Sequence, residues 1–191
     1  GSLGANSATS EDLVGLVAGD YVCTIGDGNG CPLTHLVTIT EPLASLSATS
    51  ILSDYNGYNV SCNGYNNADI DITVTGGTTG YTYSWVASNG GNLGTNSAAS
   101  EDLNFLVAGD YVCTITDALG CQDVHSVTIT EPAALSASSV VVDVACNGEA
   151  TGEIDITVIG GTPGYTYSWV ASNGGSLGAN SATSEDLVGL V

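Results

Sequence analysis

The chain has 191 residues, with twenty Asp and Glu against no Lys or Arg, for a formal net charge of −20. Nucleic-acid phosphates and anionic membrane surfaces are both recognised by cationic side chains, so neither is an expected partner. Hydrophobic residues make up 43% of the sequence and mean hydropathy is +0.25, which is enough apolar material to bury and argues against a disordered polyanion. No apolar run approaches the roughly 18 residues of a membrane-spanning helix, so direct membrane insertion is not expected. The sequence has no Met and no leader at its start, and it reads as a fragment whose targeting signals lie elsewhere.

Internal repetition organises the sequence. The segment GGTTGYTYSWVASNGG at 76–91 recurs at 160–175 with Thr79 replaced by Pro163 as the sole difference. Residues 1–42 and 91–132 are identical at 30 of 42 positions, and residues 175–191 duplicate 1–17. Glu41-Pro42 and Glu131-Pro132 each close a strand-like run that proline cannot continue. Boundaries are therefore expected there: 1–42 is the back half of one repeat, 43–132 a complete repeat, and 133–191 the front part of the next.

Within 43–132 the elements follow in order. Ile70, Ile72 and Val74 alternate with Asp69, Asp71 and Thr73, the period of a half-buried strand. After the GGTTG turn, Tyr81, Tyr83 and Trp85 share one face of a second strand. Ser100, Glu101 and Asp102 resemble a helix cap and acidic first turn, and the spacing of Leu103 and Leu106 predicts a single helical turn. Gly109 to Cys113 begins another strand, and Asp117 to Gly120 a tight hairpin leading to 124–130. A Trp strand, a short crossover and then Tyr-x-Cys is the order of immunoglobulin-like β-sandwiches, a class that about seven short strands would suit. The expected fold is all-β, a tandem series of immunoglobulin-like domains of 84–90 residues, with Trp85 and Tyr111 in the core and Trp169 and Tyr21 in the equivalent places of the flanking repeats.

These residues resemble the SprB-type repeat of Bacteroidota cell-surface adhesins. The likeness runs through Val60-Ser-Cys-Asn-Gly64, Asp71-Ile-Thr-Val, Gly76-Gly-Thr, Tyr81-Thr-Tyr-Ser-Trp85, Glu101-Asp-Leu, Ala108-Gly-Asp-Tyr111, Thr116-Asp117, Gly120-Cys121 and Val127-Thr-Ile-Thr-Glu-Pro132. It departs from the family at Thr79-Gly80, where Pro-Pro is usual, and at Cys113, where an aliphatic residue is usual. The resemblance implies a long repetitive filament, secreted to the cell surface by the type IX pathway and associated with gliding motility or attachment. The repeats would form its stalk, and neighbouring repeats would be the principal partners.

Candidate chemistry is sparse. His35 and His125 occupy the same repeat position on a strand, with no nucleophile marked beside them. Asp69 and Asp71, like Glu153 and Asp155, lie two apart and so share the face opposite the apolar one. They form a solvated outer face whose sharper reading is a Ca²⁺ site of hard oxygen ligands. The glycine pairs at 76/77 and 160/161 lack the following Lys of a phosphate loop. Tyr55, Tyr58 and Tyr65 lie in an Asn/Gly-rich stretch and are expected to pack on the sandwich edge, the alternative being a polysaccharide-binding module that uses residues 55–65. No catalytic residue and no cofactor other than Ca²⁺ is indicated.

Three cysteines per repeat allow three pairs. If the hairpin pairs 116 with 121, it places 113 opposite 124, and Cys113 and Cys121 are then about 10 Å apart along the ladder, too far for a bridge. Cys62 precedes the Ile70 strand rather than lying in it, which disfavours Cys113 as its partner. The expected disulfide is Cys62 to Cys121, with Cys113 a buried thiol, and such a bond implies an oxidising, extracellular compartment.

Overall fold

The computed structural model describes residues 1–190. Its strands, in chain order, are β1 (Gly19–Gly26) and β2 (Pro32–Ile39), then β3 (Ser47–Leu52), β4 (Ala68–Thr75), β5 (Thr82–Ser88), β6 (Leu103–Leu106), β7 (Gly109–Thr116) and β8 (Gln122–Ile129), then β9 (Ser136–Val142), β10 (Gly152–Ile159) and β11 (Leu187–Leu190). They form four antiparallel sheets of order β1-β2, β3-β4-β6, β5-β7-β8 and β11-β10-β9.

The two sheets between residues 47 and 129 close on each other. Ile70 and Ile72 of β4 and Leu103 and Leu106 of β6 join Trp85 of β5, Tyr111, Cys113 and Ile115 of β7, and Val127 and Ile129 of β8 in one buried cluster. First, second and fourth strands in one sheet against third, fifth and sixth in the other is an immunoglobulin-type arrangement with six strands, not seven. Where a further strand would lie, residues 89–102 run irregularly and are tied to β5. Trp85 N–H donates to Ala98 O at 2.8 Å, and the indole Nε1–H donates to Ser100 O at 2.9 Å. Tyr111 is fully buried and its hydroxyl donates to Val107 O, four residues upstream, at 2.9 Å, the tyrosine corner of such sandwiches. One edge between the sheets is laced by Ala48 N–H donating to Asp123 Oδ2 at 3.1 Å and by a 3.0 Å bond between His125 Nε2 and Ser50 Oγ.

The flanking repeats contain half of this assembly each. The β1-β2 hairpin corresponds to β7-β8, and β9-β10-β11 to β3-β4-β6. Tyr21 and Trp169 keep the hydrogen bonds of Tyr111 and Trp85, to Val17 O at 2.6 Å and Ser184 O at 2.8 Å. Both are only half-buried: among the described residues Tyr21 has no β3-β4-β6 equivalent to face it, and Trp169 has no β7-β8 equivalent beside it.

The expected helical turn at 100–106 is a strand. Leu103 and Leu106 are both buried although three apart, which a regular strand cannot arrange because successive side chains alternate faces. Phe105, at φ 54°, supplies a bulge between the Ala68–Leu106 and Ile70–Leu103 pairs and returns Leu106 to the inner face. Asp102 accordingly caps a sheet rather than a helix, its Oδ1 accepting from Ile72 N–H at 2.9 Å. The other two repeats have glycine at the same point, Gly15 and Gly189, each at φ 65°.

This left-handed residue generates a prediction. A non-glycine residue held there costs about 1–2 kcal/mol, and glycine's extra freedom in the unfolded chain offsets about 0.5–1 kcal/mol of the relief. The Phe105 side chain is 65% exposed, so its removal sacrifices little packing. Phe105→Gly is expected to stabilise the central repeat by about 0.5–1 kcal/mol, raising its melting midpoint by about 4 °C in calorimetry. An unchanged or lower midpoint would show that the bulge carries no strain.

Candidate functional site

The polar and glycine-rich segments gather at the two poles of the central repeat, where the chain enters and leaves it. At the entry pole, linker residues 44–46 lie against the Gly-Gly-Thr loop. Gly77 N–H donates to Ala44 O at 2.9 Å, and the Tyr81 hydroxyl donates to Gly76 O at 2.7 Å. A Cβ on Gly76 would stand 2.0 Å from Ser45 O, so only glycine permits this approach. The next junction repeats the geometry: Gly161 N–H donates to Ala133 O at 2.8 Å, Tyr165 OH to Gly160 O at 2.6 Å, and a Cβ on Gly160 would stand 2.0 Å from Ala134 O. The glycine pairs are thus linker seats.

Asp117 fastens the hairpin turn to this loop. It is 5% exposed; its Oδ2 accepts from Thr78 N–H at 2.9 Å, and its Oδ1 from Leu119 and Cys121 N–H at 2.9 and 2.8 Å. The expected register of this hairpin is off by one residue. The ladder pairs Thr116 with Gln122 and Cys113 with His125, because the Asp117 side chain holds all of 117–121 as the turn.

At the exit pole the Cys62-Asn63-Gly64 turn is clamped by Glu131. Its two carboxylate oxygens accept from Asn63 Nδ2 at 2.9 Å and Gly64 N–H at 2.7 Å, while Asn63 Nδ2 also donates to Pro132 O at 3.1 Å. Asn59 is engaged here as well, donating from Nδ2 to Ser53 O at 2.9 Å and accepting at Oδ1 from Thr130 N–H at 2.9 Å. The junction therefore rests on carboxylates and amides bonded to backbone groups in a chain with no cationic side chain.

The expected Cys62–Cys121 disulfide is not formed; all six cysteines are free thiols. Cys62 lies beside Glu131 and Pro132, past the end of β8, whereas Cys121 precedes the first residue of that strand. About ten extended residues separate the two ends, roughly 30 Å, against the under 7 Å between Cα atoms that a disulfide needs. Cys113 is fully buried between the sheets, and burial pushes its thiol pKa up.

The carboxylates considered for Ca²⁺ lie on outer faces. Asp69 and Asp71 alternate with the buried Ile70 and Ile72 along β4, and Glu153 and Asp155 occupy the same positions of β10. Asp69 Oδ1 accepts from Phe105 N–H at 3.3 Å, supporting the bulge. Among the described residues no group of three or more His, Cys, Asp or Glu is placed to hold a metal ion. Of the tyrosines, Tyr55 hydrogen-bonds Asn67 O at 3.1 Å, and Tyr65 is 57% exposed.

Sequence reasoning missed Asn63 and Glu131 as a clamp, and it missed Asn96. Asn96 Nδ2 donates to Leu93 O and Asn104 O, both at 2.7 Å, and its Oδ1 accepts from Asn104 N–H at 3.1 Å. Its recurrence as Asn6 and Asn180, with the same bonds, was the available signal.

Asp117 yields a pH prediction. Hydrogen bonds, first from Thr78 N–H and then from Cys121 and Leu119, hold its carboxyl below the ordinary aspartate value, which is about 3.9. Its stabilisation is fully present above that value and is lost as pH falls through the lower folded one. Asp117→Asn is expected to lower the melting temperature at pH 7 and to flatten its decline below about pH 4. Parallel wild-type and variant curves of melting temperature from pH 2 to 7 would refute this.

No helix among the described residues is long and apolar enough to cross a membrane. No curated protein and no solved structure matches the chain. The family model of the SprB repeat matches two segments, residues 58–92 and 138–175. The first begins between β3 and β4 and the second within β9; both end at the Asn-Gly-Gly turn after the tryptophan, taking in the Cys-Asn-Gly turn and the Gly-Gly-Thr linker seat. Over these two segments the chain is similar to the SprB repeat.

Proposed function

We propose that this chain is a stalk segment of a long, repetitive Bacteroidota surface adhesin, exported by the type IX pathway and serving attachment or gliding. Its role is mechanical: it sets length and reach, and it performs no catalytic step. The observation that carries this reading is the placement of entry and exit at opposite poles. Ala44 and Leu46 lie beside Cys121 and Gln122 at the start of β8, and Pro132 follows its far end, so each repeat advances the chain by roughly 30–35 Å. The linkers are short and seated, and Pro132 is fully buried. Successive repeats then extend a rod rather than folding back.

The rival, a polysaccharide-binding module using Tyr55, Tyr58 and Tyr65, draws less support, since the backbones of Tyr55 and Tyr58 pair with each other and the Tyr55 hydroxyl is committed to Asn67. The paired carboxylates act as fixed charge along the rod, offset by solution cations, Ca²⁺ included. Small-angle scattering on arrays of two, four and six repeats tests the stalk. The maximum dimension is expected to grow by about 30 Å per repeat. Growth following the weak power law of compact globules, a radius of gyration rising roughly as N^0.38, would overturn the stalk reading. Glycan retention lost on replacing the three tyrosines by Ala would favour the rival.

A further inference from the structure

Cys121 and Cys62 line clefts at the two ends of the central repeat. At the entry pole a cleft of ≈ 480 Å³ is walled by Pro42, Ala44, Leu46, Gly77 and Cys121. At the exit pole a cleft of ≈ 560 Å³ is walled by Cys62, Pro132, Ala133, Leu135 and Gly161. The two clefts occupy the same place in successive junctions. Pro42 corresponds to Pro132, Leu46 to Leu135 and Gly77 to Gly161, and the linker bonds Gly77–Ala44 and Gly161–Ala133 are 2.9 and 2.8 Å long. The first junction therefore displays the cysteine of the repeat that follows its linker, and the second displays the cysteine of the repeat that precedes it. Neither junction contains both within this sequence.

The backbone frames of these cysteines recur. Cys31 N–H donates to Asp27 Oδ1 at 2.8 Å just as Cys121 N–H donates to Asp117 Oδ1 at 2.8 Å. Cys146 O accepts from Glu149 N–H at 3.0 Å just as Cys62 O accepts from Tyr65 N–H at 3.1 Å. Wherever one such repeat follows another, a Cys62-type thiol and a Cys121-type thiol thus stand on the walls of one cleft. The downstream thiol is further fixed there because its turn is held to the linker-bearing loop, as Asp117 is to Thr78.

We infer that Cys62 forms a disulfide with the turn cysteine of the following repeat, so that the bond joins neighbours across the junction rather than closing a loop within one repeat. The inference rests on the repeats being consecutive, as in the proposed stalk. Two thiols lose two protons and two electrons to make the S–S bond; a small-molecule or protein disulfide accepts them by exchange and is reduced to two thiols. Such bonds persist in oxidising surroundings outside the cytoplasm. Cys113, enclosed by both sheets, stays reduced.

Because residues 175–191 duplicate 1–17, adding residues 18–42 after Val191 completes the third repeat and places a copy of Cys31 at the second junction. Replacing the original Cys31 by Ser makes the two otherwise identical peptides distinguishable by mass. The extended chain is oxidised with glutathione disulfide, isolated as monomer, alkylated and mapped with a Glu-specific protease without reduction. The Cys62 peptide is expected to be linked to the added Cys31 peptide. Ser at the added Cys31 is expected to raise Cys62 alkylation at least tenfold, while Cys121→Ser leaves it unchanged. Equal Cys62 alkylation with and without the added cysteine, or recovery of Cys62 bound to Cys121, would overturn the inference. Scattering on the same chains measures rod length independently, so loss of the linkage in a chain that remains extended refutes the bond and leaves the stalk standing.

Discussion

A strand in this protein exists only where the strand beside it does. Thr82–Ser88 and residues 166–172 are the same seven residues, TYSWVAS. The first is β5, paired along its whole length with β7; the second, with no β7 equivalent beside it, forms no strand. Its tryptophan still makes the local bond to Ser184 O, so local chemistry is satisfied while the strand is not. Non-local pairing and burial, rather than intrinsic preference, decide the outcome. The rest of the central repeat depends on this condition: β7 aligns β5 and β8, and the inner faces of that sheet and of β3-β4-β6 cover one another around Tyr111 and Trp85.

Much of this architecture was legible because the sequence presents it more than once. The alternation at Ile70, Ile72 and Val74, the aromatic face of Tyr83 and Trp85, and the Tyr111 corner are period and order signals that survive folding unchanged. The misreadings share a physical origin. At 100–106 a cap residue, two acids and leucines three apart describe a helical turn and a bulged strand equally well. Only the backbone of Phe105 separates them, and its cue lay in the glycines at 15 and 189. The hairpin register slipped because the Asp117 carboxylate takes two N–H groups within the turn, a contact that residue order does not reveal. The cysteine pairing failed for a larger reason. Proximity of Cys62 to Cys121 was argued from strand membership, whereas the poles are set by which end of β8 each residue meets.

The junction shows how a chain without Lys or Arg organises its acids. Glu131 takes the Asn63 side-chain amide and the Gly64 N–H of a turn, Asp117 the N–H groups of a loop and a turn, and Asp102 that of Ile72. Each carboxylate accepts from at least one main-chain N–H, with the Asn63 side-chain amide adding a second donor to Glu131, so these ionised groups are hydrogen-bonded without a cationic partner. Such contacts depend on backbone geometry more than on net charge, so the fold accommodates a uniformly negative surface.

The edge bond between Ala48 N–H and Asp123 has a bearing on how near-identical repeats avoid one another during folding. A half-sandwich from one repeat is chemically compatible with the complementary half of another, and tandem repeats of similar sequence are prone to such exchange. At the position of Asp123 the first repeat has Leu33, which cannot accept the Ala48 hydrogen bond. A sandwich that joined β3 to the hairpin of the first repeat would leave that edge N–H without its acceptor and set a leucine beside it. The difference between Asp123 and Leu33 at this one edge position thus gives β3 a hydrogen-bond acceptor in its own repeat's hairpin that the hairpin of the first repeat lacks.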